Sequence, residues 1–228
     1  MVTTAWLPAS NTSELNRPMT VGSLLIPVSG PRLPRRLVQL AVGLVLFGVG
    51  IAMMLRSELG VPPWDVLHQG LADRFGATVG TWSILVSILV LVVWIPLREP
   101  YGVGTLANAV VIGVVIDLGT AVIPTPAETP GKLALVAAGI VTIGVATGLY
   151  IGARLGPGPR DGLMTGIARR GPSLRVTRTA IEVSVLTTGW ALGGTFGIGT
   201  VAFALGIGPI VQVTLPLLTV RDRAGTIS

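Results

Sequence analysis

Asp117 is the residue whose position most strongly indicates chemistry, because it is an ionisable side chain within a long apolar run. It stands in Val114-Val-Ile-Asp-Leu-Gly119, ~21 Å along a helix that would begin at Val103. A carboxylate at such a depth in a bilayer is costly and usually faces the bundle interior or a water-filled path. Asp117 could bind a proton, a cation or a substrate amine, or it could only hydrogen-bond a neighbouring helix.

Two further polar side chains are candidates for the same path. Asn108 lies in the same apolar run, and Gln212 occupies the position equivalent to Asp117 in the second copy of an internal repeat. We predict that these residues help Asp117 to bind a substrate or a coupling ion.

A second kind of candidate site follows two turns that are rich in glycine and proline. Each turn ends in a proline that suits the first turn of a helix and an aspartate that suits the positive end of the helix dipole. The glycines permit close approach of the backbone. Each aspartate could contact a ligand or could simply cap its helix. The residues are Gly60, Pro63 and Asp65 in the first turn and Gly156, Pro159 and Asp161 in the second.

Arg160 and Glu182 are secondary candidates. Arg160 lies in the second turn, where the first turn has Trp64. Glu182 follows Arg178 by four residues, and an ion pair at helical spacing would explain both. The single histidine, His68, is expected to make a polar contact at the membrane interface rather than to relay protons.

The two turns belong to an internal repeat. Leu59–Arg74 and Leu155–Arg170 are related by an offset of 96 positions, and Gly102–Gly113 and Gly197–Gly208 by an offset of 95. Each copy contains three long apolar runs, an odd number, so the second copy must lie upside down relative to the first. Inverted repeats are typical of many secondary transporters and channels. A duplication kept only for helix packing is the alternative.

Composition indicates an integral membrane protein. Half of the 228 residues are hydrophobic and 11% are charged, whereas about a quarter of a soluble domain is charged. The absence of cysteine excludes disulfides and thiol chemistry, and one histidine cannot build a multi-histidine metal site. No phosphate-binding loop, zinc-protease motif or serine-hydrolase motif is present. We therefore expect no ATP hydrolysis, no other enzymatic activity and no cofactor.

The apolar runs predict an all-α membrane protein with six transmembrane helices. These form two inverted three-helix repeats, each with a short half-helix, led by glycine and proline, after its first span. The short helices, predicted at Trp64–Arg74 and Arg160–Arg170, either lie flat at the interface or fold into the protein to line a central cavity. The predicted spans are Leu37–Leu55, Thr81–Leu97, Val103–Ile123, Leu133–Ala153, Thr177–Gly194 and Phe196–Leu218.

The basic residues predict the orientation. With the N-terminus inside, the inner face receives 13 of the 16 basic residues and the outer face only Arg56, Arg74 and Lys132. Positive charge of this kind collects in cytoplasmic loops, so both termini are expected inside. The expected segments are a disordered cytoplasmic tail at 1–36, repeats at 37–123 and 133–218, a linker at 124–132 and a cytoplasmic tail at 219–228.

The second turn and the segment Gly197-Ile-Gly-Thr200 carry a resemblance to a known family. Over about residues 37–218 the chain resembles the YczE/YitT-like multi-pass membrane proteins of bacteria, most sharply at Leu155–Arg170 and Gly197–Gln212. The first copy departs from the pattern at Trp64. The resemblance implies a protein of the bacterial cytoplasmic (inner) membrane with a transport or accessory role, and it supplies no catalytic residues.

Two functions are open at this point. The repeat favours a small transporter or permease that moves a small solute by alternating access around a midplane site. The alternative is a non-transporting membrane scaffold or assembly factor, whose Arg-rich cytoplasmic loop docks a partner or a lipid. The expected partners are the lipid bilayer and a small molecule or ion, not nucleic acid, and a homo-oligomer is compatible with the pattern.

Overall fold

The fold is all-α, as the apolar runs predict. A computed structural model describes residues 32–220, and these form helices without any strand. Most of the two predicted tails lies outside the described residues. The helices are α1 (Leu33–Ser57), α2 (Pro63–Phe75), α3 (Val79–Leu97), α4 (Val103–Val122), α5 (Thr129–Gly152), α6 (Pro159–Ala168), α7 (Leu174–Ala191) and α8 (Ile198–Leu218).

Five of these helices, α1, α3, α4, α5 and α8, are long and apolar enough to cross a membrane. The remaining predicted span, Thr177–Gly194, corresponds to α7. This helix has 18 residues and is not among the five. Its first half carries Arg175, Arg178 and Glu182, so its composition is too polar for a span to be assigned by apolarity alone.

The two halves of the chain meet along α1 and α5, which run antiparallel. Near the start of α1, Arg36 donates a hydrogen bond to the carbonyl of Ala153, just after α5, at 2.8 Å. Near the start of α5, Lys132 contacts Glu58, just after α1, at 2.5 Å. Between these ends, glycines such as Gly139 bring the helices together, because an added Cβ there would lie 2.7 Å from a methionine side chain of α1.

The other helices pack in equivalent ways in the two halves. Helix α4 packs on α1, and α8 packs on α5. The short helix α2 packs against α7, and the short helix α6 packs against α3, so each short helix lies against a helix of the opposite half. The halves are therefore interlocked rather than placed side by side.

Both short helices are packed into the protein. In α2, the residues Trp64, Asp65, Val66 and His68 are buried, and only the last turn is exposed. Four residues of the ten in α6 are buried, among them Gly162. Of the two arrangements open from the sequence, these contacts favour helices that fold into the protein.

Candidate functional site

The glycine- and proline-rich turns are held by reciprocal contacts between the halves. The amide of Gly199, at the start of α8, donates to the carbonyl of Leu59 at 2.7 Å. The amide of Gly104, at the start of α4, donates to the carbonyl of Leu155 at 2.8 Å. Each turn thus docks on the last helix of the opposite half, and the sequence repeat is also a repeat of contacts.

Glycine is required at the second position of each turn. Gly60 and Gly156 have φ angles of +109° and +125°, a region that residues with a Cβ rarely adopt. A Cβ on Gly60 would lie 2.7 Å from the amide nitrogen of Gly197, and a Cβ on Gly156 would lie 2.6 Å from Oγ1 of Thr105. The glycines therefore let the backbone of each turn approach another part of the same protein closely, rather than a ligand.

The first turns of α2 and α6 meet where the two repeat copies differ most. Trp64 and Arg160 occupy equivalent positions, and the guanidinium carbon lies 5.3 Å from the centroid of the indole ring, a cation–π contact. Asp65 and Asp161 follow these residues in the first turns. We call Trp64, Asp65, His68, Tyr150, Arg160 and Asp161 the junction cluster.

Asp65 is fully buried and joins the two halves by charge. Its Oδ1 atom lies 3.0 Å from Nδ1 of His68 and 3.5 Å from Nη2 of Arg160. Because an ionised carboxylate can only accept a hydrogen bond, Nδ1 of His68 donates. His68 is also fully buried, so the imidazole lies within the protein, against the carboxylate one turn away. Its expected place at the membrane interface stays a prediction.

Asp161 faces a cavity between the halves, and several other polar side chains also line it. Its carboxylate accepts a hydrogen bond from the hydroxyl of Tyr150. The cavity offers about 60 Å³ to the centres of water molecules, which is room for a few waters. We call it the central cavity; it is lined by Phe47, Ser83, Ser87, Asn108, Ile112, Tyr150, Gly158, Arg160 and Asp161.

Three polar atoms of the junction cluster have no hydrogen-bond partner although they are buried. They are Nε1 of Trp64, Oδ2 of Asp65 and Nε2 of His68. An unsatisfied buried polar atom costs roughly 1–3 kcal/mol, so three of them within two turns of one helix need an explanation. They leave one donor, Nε1 of Trp64, and two acceptors, Oδ2 of Asp65 and Nε2 of His68, available to a ligand, a water or a proton.

The remaining predicted residues lie in several places. Asn108 lines the central cavity, whereas Gln212 is exposed on α8. Glu182 pairs with Arg178 at 2.8 Å, as its spacing predicts. Within residues 32–220, no three histidine, aspartate or glutamate side chains form a group that could hold a metal ion.

Asp117 has structural partners at the start of α3. Its Oδ1 atom accepts a hydrogen bond from the amide of Gly80 at 2.9 Å, and its Oδ2 atom accepts one from the hydroxyl of Thr78 at 2.6 Å. A carboxylate at this end of a helix offsets the helix dipole. Asp117 does not line the central cavity, and a contact with a substrate or a coupling ion stays a prediction.

A second cavity lies beside the first turn. It offers about 300 Å³ to the centres of water molecules and is lined in part by Glu58, Gly60, Gln69 and Thr195. The amide group of Gln69 holds Thr195 through two hydrogen bonds of 3.0 Å, one to its side chain and one from its backbone. This cavity therefore borders the contact between α2 and the segment that leads into α8.

A buried acid outside the junction cluster tethers α6. Glu99, in the connection between α3 and α4, is 3% exposed and pairs with Arg169 at the end of α6. Burial raises the pKa of Glu99 above its usual range, while the charges of Arg169 and Arg170 oppose that rise. Arg170 also donates to the carbonyl of Pro96 at 2.9 Å. The end of α6 is thus bound to the connection between α3 and α4.

Sequence reasoning missed Tyr150, Trp94 and Glu99. Tyr150 lies within the predicted span Leu133–Ala153 and is equivalent to Met54 in the first copy, so the repeat gives no sign of a hydroxyl at this position. Trp94 is fully buried and donates from Nε1 to the carbonyl of Pro159 at 3.0 Å. These contacts join residues more than ten positions apart, and local periodicity cannot reveal them.

Comparisons with known proteins agree with the membrane architecture. The chain is 39% identical over 180 residues to an uncharacterised protein of Haemophilus influenzae, which covers 78% of this chain and 83% of that protein. It is 35% identical over 177 residues to the uncharacterised membrane protein YczE of Bacillus subtilis, which covers 76% and 82%. The uncharacterised protein YyaS of Bacillus subtilis is 28% identical over 185 residues, covering 78% and 90%.

No solved structure matches this chain with significance. A family model described as a family of unknown function, DUF6198, matches residues 34–216. This match spans all eight helices up to the last turn of α8, and the similarity to YczE agrees with the resemblance carried by the second turn. The chain is a multi-pass membrane protein and belongs to the family of unknown function DUF6198.

Proposed function

We propose that this protein is a small transporter or permease of a small solute in the bacterial cytoplasmic membrane, working by alternating access without ATP hydrolysis. The observation that supports it best is the contact between two half-helix starts, from two copies of a repeat, beside a cavity that residues of both halves line. Broken helices that meet near the midplane are typical of secondary transporters. The proposal therefore rests on the junction cluster and the central cavity.

The proposal includes six spans in two inverted repeats, with both termini inside. Two observations support it: α1 and α5 run antiparallel, and α7 occupies the place in the second half that α3 occupies in the first. The polar first half of α7 would then lie at the cytoplasmic face, where Arg175 and Arg178 can reach water. The apolar second half would complete the span.

The central cavity supplies the features that such a site needs. Both halves line it: Ser83, Ser87 and Asn108 belong to the first, and Arg160 and Asp161 belong to the second. It is too small for more than a few waters in this arrangement, so a solute would enter only after the halves shift relative to each other. A site that both halves line can open when one half moves against the other.

The scaffold alternative receives less support from the contacts of the Arg-rich loop. Arg169 pairs with Glu99, and Arg170 donates to the carbonyls of Gly166 and Pro96. These guanidinium groups bind other parts of the same chain, although Arg169 keeps 39% of its side chain exposed. A docking function would have to rely on the other arginines of this face.

The first test is the accessibility of the central cavity from both sides of the membrane. The chain contains no cysteine, so Ser87→Cys introduces a single thiol at a cavity position that is 7% exposed. We expect a small charged thiol reagent to modify it slowly in right-side-out vesicles and also in inside-out vesicles. Alternating access predicts reaction from both sides because the cavity opens to each in turn.

The control is Ser184→Cys, which places the thiol on an exposed face of α7 away from the cavity lining. In the proposed topology this face meets lipid, so a charged reagent should leave it unmodified. Reaction of Ser87→Cys from one side alone would contradict alternating access. Reaction from neither side, in a protein that still folds, would favour the scaffold.

A further inference from the structure

We propose that Asp65 and His68 form the binding site for a coupling proton, and that Arg160 links this site to the central cavity. The proposal rests on the proposed transport function and names its coupling ion. It is carried by the buried geometry of the junction cluster, where a carboxylate, an imidazole and a guanidinium from two halves of the protein lie in contact.

The imidazole has one nitrogen that can take a proton. Its Nδ1 atom donates to Asp65, so the lone pair of the neutral ring lies on Nε2, which is buried and unpartnered. A proton that binds at Nε2 converts the ring to an imidazolium, whose positive charge the carboxylate of Asp65 already faces at 3.0 Å. Burial disfavours the charged ring, and the carboxylate of Asp65 offsets part of that cost.

The charges of the junction cluster favour the arrival of one proton. With a neutral imidazole, the cluster contains the carboxylates of Asp65 and Asp161 and the guanidinium of Arg160, one positive charge against two negative. Asp65 is fully buried, and a net charge in a poorly solvated place is costly. One added proton makes the cluster neutral.

Arg160 is the group that responds to the proton. Its Nη2 atom lies 3.5 Å from Oδ1 of Asp65, the same oxygen that faces His68. An imidazolium therefore competes with the guanidinium for one carboxylate oxygen and repels it. Since Arg160 also lines the central cavity, release from Asp65 leaves its charge facing the cavity.

Other charged groups on the surrounding helices do not account for this coupling. Helix α3 carries no ionisable acid or base. On α7, Arg178 pairs with Glu182, and on α5 the hydroxyl of Tyr150 is bonded to Asp161. Of the charged side chains around His68, Asp65 and Arg160 are those whose charges act on it.

The test uses the fact that the chain has a single histidine. In the full-length protein labelled with ¹⁵N-histidine, the two ring nitrogens give one pair of NMR signals. In wild type at neutral pH we expect the neutral ring with the proton on Nδ1. We expect Arg160→Met to raise the pH of half-protonation by about one unit or more, because a positive charge next to the ring is removed.

Two further variants complete the test. Arg178→Met removes a guanidinium that pairs with Glu182 and whose charge acts on Asp161 and Tyr150 but not on His68, and it should leave the midpoint within about 0.3 units of wild type. Asp65→Asn should lower the midpoint, because the imidazolium loses its carboxylate. If Asp65→Asn does not fold, Arg160→Met still tests the proposal, because the replacement of a partly exposed side chain is expected to leave the protein folded.

Three results would overturn the proposal. The midpoint in Arg160→Met could equal that of wild type, or the ring could stay neutral in wild type and in Arg160→Met down to the pH at which the protein unfolds. The third is a neutral wild-type ring with its proton on Nε2. The titration does not involve transport. If Ser87→Cys reacts from only one side or from neither, the transport function is rejected and the proton site is left undecided. If the imidazole does not respond in the titration, only the proton site is rejected.

Discussion

At the scale of single residues, three acidic side chains in the described part of the chain have different surroundings. Asp65 faces His68 and Arg160 inside the protein. Asp117 accepts hydrogen bonds at the start of a helix. Glu99 is buried in a connection between helices and pairs with an arginine. Carboxylates thus contribute to a candidate ion site, stabilise the start of a helix and hold the end of α6 in place.

Glu99 gives a prediction about stability and pH. Burial raises its pKa in the folded protein, so its contribution to stability is fully present below the usual value of 4.5 and is lost as the pH rises through the raised pKa. We therefore expect the melting temperature of wild type, relative to Glu99→Gln, to fall as the pH rises from about 4.5 towards 7. Thermal unfolding in detergent across this range measures the difference.

A control for this prediction is Glu128→Gln, which removes an exposed carboxylate at the start of α5. Relative to this variant, wild type should not lose stability as the pH rises, because a carboxylate at the start of a helix is stabilising when it is ionised. If wild type instead gains stability over Glu99→Gln as the pH rises, the charges of Arg169 and Arg170 outweigh the burial of Glu99.

The residues of the candidate site were only partly predictable. Asn108, Arg160 and Asp161 line one cavity, and they were recognised because polar residues in apolar or repeated segments stand out. His68 and Tyr150 were not recognised as part of it. Tyr150 meets Asp161 through the packing of α5 and α6, which no spacing along the chain encodes. His68 follows Asp65 by three residues on one helix, and only the burial of this pair depends on packing between helices.

At the scale of the elements, the helices follow the apolar runs closely. The run Val103–Ile123 becomes α4 at Val103–Val122, and the short helix predicted at Trp64–Arg74 becomes α2 at Pro63–Phe75. Proline at the start and glycine after the end indicate the limits of α2, and Pro124 marks the end of α4. The packing partners of the short helices could not be predicted from the sequence, because each short helix lies against the opposite half of the chain.

The second turn gives a prediction about packing. Gly156→Ala combines a strained backbone, at roughly 1–3 kcal/mol, with overpacking against Thr105 and Gly102, at roughly another 1–3 kcal/mol. We expect a large loss of melting temperature or of folded protein.

Gly171→Ala is the matched control for this substitution. Gly171 has a similar φ of +145°, but an added Cβ there would meet nothing within 4 Å. This variant should therefore show the backbone effect alone and remain folded. Equal losses in the two variants would mean that docking of the turn on α4 contributes little.

At the scale of the whole molecule, the proposed topology predicts which segments face each side. Glu58, after α1, and Ser173, before α7, both lie in exposed connections. In right-side-out vesicles of the cysteine-free chain, we expect an impermeant reagent to label Glu58→Cys at once and Ser173→Cys only after permeabilisation. The odd number of spans between the two positions is the reason.

The background chain without cysteine provides the blank for this experiment, and labelling of both variants in permeabilised vesicles confirms that each thiol is reactive. Equal labelling of the two positions in sealed vesicles would place them on one face. An even number of crossings would then separate them, so α3, α4 and α5 would not all span the membrane and the proposed inverted repeat would be rejected.

The reciprocal docking of the turns also sets an order of events during biosynthesis. The carbonyl of Leu59 is bound by Gly199, and α2 rests on α7. The first turn therefore cannot reach its final place until more than a hundred further residues have left the ribosome. The membrane insertion machinery, or the lipid around it, must shelter Asp65 and His68 for that interval. The first half can therefore reach its final packing only after the second half has been inserted.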